Sequence, residues 1–465
     1  MNYKLRSLVA ASITGALMLG VAQQASADST MDIVNALVAK GVLTEEEGAL
    51  LTKGREMESA SQAKSMKKAS KLKVSDAIDN AELYGDIRVR VEQRNGEDVA
   101  GKEQDRTRDR YKLTLGVKTE SGNFYTDLAL AMGQHGRSDN ATFGSASGGS
   151  NGSNTKEAAY IKRAMVGYKA TDWLALEAGR VANPLYTTQM VWDSDLTFEG
   201  LVEKANFKVG DNKFFLTGVQ SQYLGDTRKY GGTATTADSI SNWIMAFQAG
   251  AEVPLADGVK GKAALTYTTY SNNDRAGKFV PAIGSATTLG TNVVGTNNLR
   301  TIEVPAELNF STSGPLSYSL FGDYVKNLDG NDRRDAAVEG IAGAANKAKL
   351  DSNDDSAWLL GVGINYKAGP KVAKGDWSAK LWYQDVGVYA VDPNAVDSDF
   401  MDSKVNMKGV VLKTQYNLQE NVFINFAAGH ATNKNDKIST AGVAGDLGYN
   451  LKSYDLYQLD LTYKF

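Results

Sequence analysis

Tyr457-Gln458-Leu459-Asp460-Leu461-Thr462-Tyr463-Lys464-Phe465 ends the chain with two faces. Tyr457, Leu459, Leu461, Tyr463 and Phe465 alternate with Gln458, Asp460, Thr462 and Lys464. Successive side chains of a β-strand point to opposite sides, so this period of two makes one side apolar and the other polar. The pattern recurs upstream. Asp86, Arg88, Arg90 and Glu92 alternate with Ile87, Val89 and Val91; Arg110, Lys112, Thr114 and Lys118 alternate with Tyr111, Leu113, Leu115 and Val117. Trp358, Leu360, Val362, Ile364 and Tyr366 stand opposite Gly361, Gly363, Asn365 and Lys367. Such strands suit a transmembrane barrel, but a soluble β-sandwich alternates in the same way. The connectors separate the two.

Short and long connectors take turns. The short ones include Ser121-Gly122-Asn123, Thr171-Asp172, Gly210-Asp211, Ala256-Asp257-Gly258, Ser313-Gly314-Pro315 and Gln419-Glu420-Asn421. The long ones cover 93–108, 135–156, 182–197, 224–241, 272–298, 327–356, 387–404 and 431–450, and are rich in Gly, Ser, Asn, Asp and Thr. Tight turns at one end and long loops at the other are a property of outer-membrane barrels. Between them lie sixteen strand segments, at 84–92, 109–120, 123–134, 157–170, 173–181, 198–209, 212–223, 242–255, 259–271, 299–311, 316–326, 357–368, 376–386, 405–416, 422–430 and 451–465. An even count puts both ends of the barrel on the short-turn side. The weakest segments are the sixth, where Lys204 falls among apolar neighbours, and the tenth, where Pro305 removes a ladder hydrogen bond. Tyr111, Tyr168, Trp173, Trp358, Tyr366, Trp377, Tyr383, Tyr416 and Tyr463 sit near strand ends, where interfacial girdles belong. The expected fold is an all-β transmembrane antiparallel barrel of about sixteen strands.

Residues 1–27 read as a secretory signal. Lys4 and Arg6 precede an apolar stretch from Leu8 to Ala22, and Ala25-Ser26-Ala27 is a small-residue site with cleavage expected after Ala27. The apolar stretch is short for a spanning helix. Residues 28–83 read as a periplasmic helical segment and linker before a barrel at 84–465. Ser29-Thr30-Met31-Asp32 and Thr44-Glu45-Glu46-Glu47 are capping boxes, and Lys64, Lys67, Lys68, Lys71 and Lys73 cluster in the second helix. That cluster suits cell-wall contact or an ordinary solvated face.

Composition excludes several functions. The net charge of −3 argues against a nucleic-acid partner. With no cysteine and only His135 and His430, there is little material for thiol, imidazole or zinc chemistry. Asp329-Gly330-Asn331-Asp332 and Asp351-Ser352-Asn353-Asp354-Asp355 resemble pieces of calcium loops, but the latter lacks the glycine and glutamate of an EF-hand. No catalytic, cofactor-binding or metal residue is assigned.

The final residues Leu459, Leu461, Tyr463 and Phe465 resemble the assembly signal that outer-membrane barrels present to the barrel-assembly machinery. A narrower resemblance rests on Gly179-Arg180-Val181-Ala182-Asn183-Pro184, Val191-Trp192-Asp193-Ser194-Asp195-Leu196, Glu199-Gly200 and the N-terminal run Val38 to Glu47. These residues are similar to the putative-porin family of Gram-negative bacteria, with Phe198 where a proline is expected. The resemblance implies a channel in the outer membrane, among lipid and lipopolysaccharide, not an enzyme. Similarity to sixteen-stranded porins implies a homotrimer, and a loop after the fifth strand that folds inward. Asn183, Pro184, Trp192, Asp193 and Asp195 would then belong to a constriction. The face assignments make Arg88, Arg90, Arg110, Lys112, Lys118, Arg163, Glu177 and Lys380 candidate pore-lining charges. A general pore, an anion- or phosphate-selective pore and a barrel anchor with a plugged lumen all remain open at this stage.

Overall fold

Alternation becomes a closed sheet in the computed structural model, which describes residues 78–133, 138–144, 157–224, 242–271, 279, 281, 295–397, 399, 404–438, 441–442 and 451–465. The expected signal segment ending at Ala27, the helical segment with its Lys64–Lys73 cluster, and His135 lie outside these residues.

Sixteen long strands run in chain order among the described residues: β1 (Asn80–Asp98), β2 (Glu103–Ser121), β3 (Phe124–Gly133), β4 (Ala158–Lys169), β5 (Leu174–Ala182), β6 (Thr197–Val209), β7 (Asn212–Leu224), β8 (Asn242–Ala256), β9 (Val259–Tyr270), β10 (Arg300–Ser311), β11 (Leu316–Asn327), β12 (Ser356–Tyr366), β13 (Trp377–Val386), β14 (Met407–Asn417), β15 (Val422–Asn433) and β16 (Leu451–Lys464). Each pairs antiparallel with its sequence neighbours. β16 pairs with β1 from Lys464 opposite Asp86 to Leu451 opposite Asp98, which closes the barrel. Closure leaves no strand edge to be satisfied by lipid. Among the described residues no helix is long and apolar enough to cross a membrane.

The wall has the expected two sides. Ile87, Leu176, Leu201, Leu216, Phe247, Leu360 and Leu459 are 40 to 54% exposed on the outside, a surface suited to acyl chains and not to water. Inside, four aromatic rings lie over cross-strand glycines: Tyr84 on Gly116, Tyr125 on Gly167, Phe215 on Gly250 and Phe321 on Gly361. A Cβ at Gly116 or Gly250 would overlap the ring above it. Rings laid over glycines in this way let a strand curve while covering its bare backbone.

Three features differ from, or explain, the sequence expectation. The expected loop at 93–108 is instead a continuation of β1 and β2, paired as far as Glu97 opposite Glu103. Its outward side carries polar residues such as Asn95 and Thr107, so no apolar stripe marks it. The turn is held by Asp98, whose Oδ1 accepts the N–H groups of Ala100 and Lys102, both at 2.9 Å. Second, the 327–356 connector holds two helices, α1 (Gly330–Glu339) and α2 (Ala344–Leu350). Third, Pro305 stays within β10. The β9 ladder lapses between the Ala263–Ala306 and Thr266–Glu303 pairs, while pairing to β11 continues through Pro305 opposite Asp323.

Candidate functional site

The inner face of β1–β4 is a basic wall. Arg88, Arg90 and Arg94 follow one another at every second or fourth position of β1, and Arg108, Arg110 and Lys112 do so on β2. Period two delivers them all to the lumen. Glu92, fully buried, lies among four guanidinium groups: Arg108 at 2.6 Å, Arg94 at 2.9 Å, Arg90 at 3.6 Å and Arg110 at 3.8 Å. Arg90 also grips Asp460 of β16 with two nitrogens, at 2.7 and 3.0 Å. Lower on the wall, Lys112 stands 3.8 Å from Asp86 and 3.7 Å from Asp139. Arg163 meets Asp127 at 2.9 Å and donates to the Tyr84 hydroxyl at 2.7 Å, and Lys118 sits 4.9 Å over the Tyr84 ring. Among the described residues, Arg88, Arg90, Arg94, Arg108 and Arg110 share Glu92, Asp460 and Asp399.

Two loops cross the lumen. The first joins β5 to β6. Asn183 Oδ1 accepts the Leu185 N–H at 2.9 Å, an Asx turn that directs the chain inward after Pro184. Tyr186 exchanges two hydrogen bonds of 2.8 Å with the Gln248 side chain of β8. The Thr187 and Thr188 hydroxyls donate to Glu303 of β10 and Asp323 of β11. Trp192 packs edge-on to Phe198 at 5.1 Å and is 7% exposed. Asp193 is buried, its Oδ1 accepting the Asp195 N–H at 2.9 Å. Trp192 and Asp193 therefore shape the loop, while Asp195 is half-exposed.

The second loop, after β13, was not singled out from sequence. Val388, Tyr389, Ala390 and Val391 are buried in it. Asp392 accepts hydrogen bonds from Tyr223 of β7 at 2.8 Å and Tyr270 of β9 at 3.1 Å. Asp399 pairs with Arg90 at 3.0 Å and Arg94 at 3.3 Å on β1. β1 and β7–β9 lie almost half the sheet order apart, so this strap spans the lumen. The loops interlock where Asp193 N–H donates to Ala395 O at 2.7 Å and Asp397 N–H to Gln189 O at 3.1 Å. An apolar run, Val388 to Val391, inside a polar connector was the available signal for the strap.

Glu177 and Lys380 also reach the lumen. Glu177 is buried, accepts from Tyr125 at 2.7 Å and pairs with Lys204, which explains that lysine's place on β6. Lys380 lies 5.3 Å over the Phe321 ring, apart from the basic wall. Near the short turns, a cavity of about 650 Å³ is lined by Tyr186, Lys204, Lys208, Lys213, Phe215 and Lys262, with Glu252 among them. Lys208 and Lys213 are direct cross-strand partners there. Leu459, Leu461 and Tyr463 face outward on β16 beside β1, and Phe465 exchanges backbone hydrogen bonds of 3.0 and 3.1 Å with Gly85. Glu92, Arg94, Arg108, Lys162, Glu303, Asp323, Asp392 and Asp399 were missed. The first three lie at or beyond the expected strand limits, and the carboxylates gain meaning only through contacts distant in sequence.

A closed barrel, apolar outside and charged within, defines a channel that crosses a membrane on strands. A family model described as "Putative porin" matches residues 93–294 and 281–465, and the chain belongs to this family. Among solved structures, the outer membrane channel DcaP of Acinetobacter baumannii aligns with 14% identity and a TM-score of 0.42, over 84% of this chain and 99% of that one. An anion-selective porin from Comamonas acidovorans aligns with 11% identity and a TM-score of 0.43, over 83% and 99%. No curated protein matches the chain by sequence. The protein is an outer-membrane porin, a channel for passive diffusion.

Proposed function

We propose that this porin passes small polar solutes with a preference for anions. The observation that carries this reading is the row of basic side chains on the inner face of β1–β4, where Arg88, Arg90, Arg110, Lys112 and Arg163 stand together. Fixed positive charge beside the path lowers the barrier for anions. In this reading Arg88, Arg90, Arg110, Lys112, Lys118, Arg163, Glu177 and Lys380 act as pore-lining charges. The 183–196 loop, seated against three wall strands, and the strap at 387–397 act as the constriction. The lysine-lined cavity forms its vestibule. The test is charge reversal at Arg88, a half-buried member of the wall: Arg88→Glu moves the reversal potential toward cations.

The same reading places the short turns and the N-terminal segment in the periplasm, after cleavage at Ala27, and gives Phe465 the assembly role. It also includes a homotrimer. Supporting this, Glu203 and Gln220 hydrogen-bond at 3.1 Å on the outer face, and Glu203 has Leu176 and Gly218 as cross-strand neighbours. A carboxylate in an apolar band is costly against lipid and is better covered by a second copy. A second reading, a barrel anchor with a closed lumen, is favoured by the strap. Stepwise conductance separates it from the first.

A further inference from the structure

Among the described residues, two carboxylates beneath the inward loop have no cationic partner. Glu303 and Asp323 are 2 and 4% exposed. One oxygen of each accepts a threonine hydroxyl from the loop, Thr187 for Glu303 and Thr188 for Asp323. The other oxygens, Glu303 Oε2 and Asp323 Oδ1, have no hydrogen-bond partner. Glu303 lies diagonal to Asp323 across the β10–β11 pair and directly opposite Thr266 of β9.

Buried like charges repel, and unsatisfied carboxylate oxygens are expensive. Either a proton shared between the two groups or a cation between them relieves both costs. We infer that Glu303, Asp323, Thr187, Thr188 and Thr266 form a divalent-cation site, suited to calcium, that fastens the inward loop to the barrel wall. The donors are all hard oxygens. Two carboxylates and three hydroxyls offer enough of them for the about 6–8 that calcium takes at flexible geometry, whereas magnesium usually keeps several waters that a site this buried cannot hold. Among the described residues no group of three or more Asp, Glu, His or Cys side chains is assembled for a metal. The donor set here is correspondingly modest, and affinity of about 10⁻⁴ to 10⁻³ M, the range of extracellular calcium modules, is expected. Because Thr187 and Thr188 belong to the loop and the carboxylates to β10 and β11, bound cation ties the constriction in place. This inference does not depend on the ion preference proposed above.

The experiment uses the full-length channel, purified folded in detergent, with terbium as a luminescent substitute for calcium. Tyr186, adjacent to Thr187, serves as sensitiser. The wild type shows saturable terbium emission that calcium displaces, and calcium raises its melting temperature. Glu303→Gln combined with Asp323→Asn loses the displaceable emission and the calcium-dependent shift. Asp351→Asn with Asp354→Asn, on the exposed acidic connector, keeps both. Compact migration of the unheated variants on a gel reports that the barrel has formed. Absence of displaceable emission from the wild type, or equal emission from the Glu303/Asp323 variant, overturns the site. So does a wild-type channel whose gating and melting respond to pH but not to calcium, which assigns a shared proton to the pair.

Discussion

Tyr270→Phe removes one hydroxyl from the far end of the strap. Tyr270 is 5% exposed and donates to Asp392 at 3.1 Å; Tyr223 donates to the same oxygen at 2.8 Å. The substitution preserves the ring and its edge-on packing against Tyr223, with centroids 5.6 Å apart. What it takes away is one hydrogen bond to a buried carboxylate, worth about 1.5–3 kcal/mol. Asp392 keeps the Tyr223 bond, so the strap is weakened without leaving its carboxylate wholly unpaired. That energy shifts the balance between seated and displaced strap by roughly ten- to a hundredfold. In single-channel records, brief excursions to higher conductance become more frequent by that factor, with the main level unchanged. Tyr223→Phe combined with Tyr270→Phe enlarges the effect. Indistinguishable noise in wild type and Tyr270→Phe, with both barrels folded, would refute the strap as a fastened element.

Gly116→Val drives a side chain into the Tyr84 ring and costs about 1–3 kcal/mol by overpacking, read as a lower melting temperature; Tyr84→Ala in the same chain recovers part of the loss. In the turn between β12 and β13, Asp376 accepts the Ala368 and Ala373 N–H groups, each at 2.9 Å, and these bonds hold its carboxyl below the usual range. A lowered folded pKa stabilises the turn above the ordinary Asp value and loses that stabilisation as pH falls through the lowered one. Amide exchange at Ala368 and Ala373 is therefore expected to accelerate in that acid window, and Asp376→Asn to abolish the dependence. On the outer face, Glu203→Lys is expected to convert the proposed homotrimer to monomers in native mass measurements; a stable trimer would remove this face from the interface.

Much of the fold was legible because the barrel obeys a local rule. Every strand that faces lipid must be apolar at alternate positions, so Ile87, Val89 and Val91 or Trp358, Leu360 and Val362 announce themselves without knowledge of their neighbours. The rule fails where lipid ends. Beyond Val91 the outward residues turn polar, and the continuation of β1 and β2 to their turn lost its signal while Arg94 and Arg108 kept the inward row. The pore-lining candidates could be assigned to a face for the same reason. Their partners could not. Asp460 meets Arg90 across the barrel's closure, and Asp399 reaches it from a connector more than three hundred positions away. Inward folding of the loop expected at 182–197 came from resemblance, whereas its seat on Gln248, Glu303 and Asp323 depends on strands whose registers no local pattern reports.

The most direct test of the account is the reversal potential of single channels in a planar bilayer under a salt gradient. The basic wall predicts stepwise conductance with a potential of the sign for anion preference, moved toward cations by Arg88→Glu. A cation-signed potential in the wild type, or one unmoved by Arg88→Glu, would contradict the assignment of the β1–β4 wall to the path of the ions.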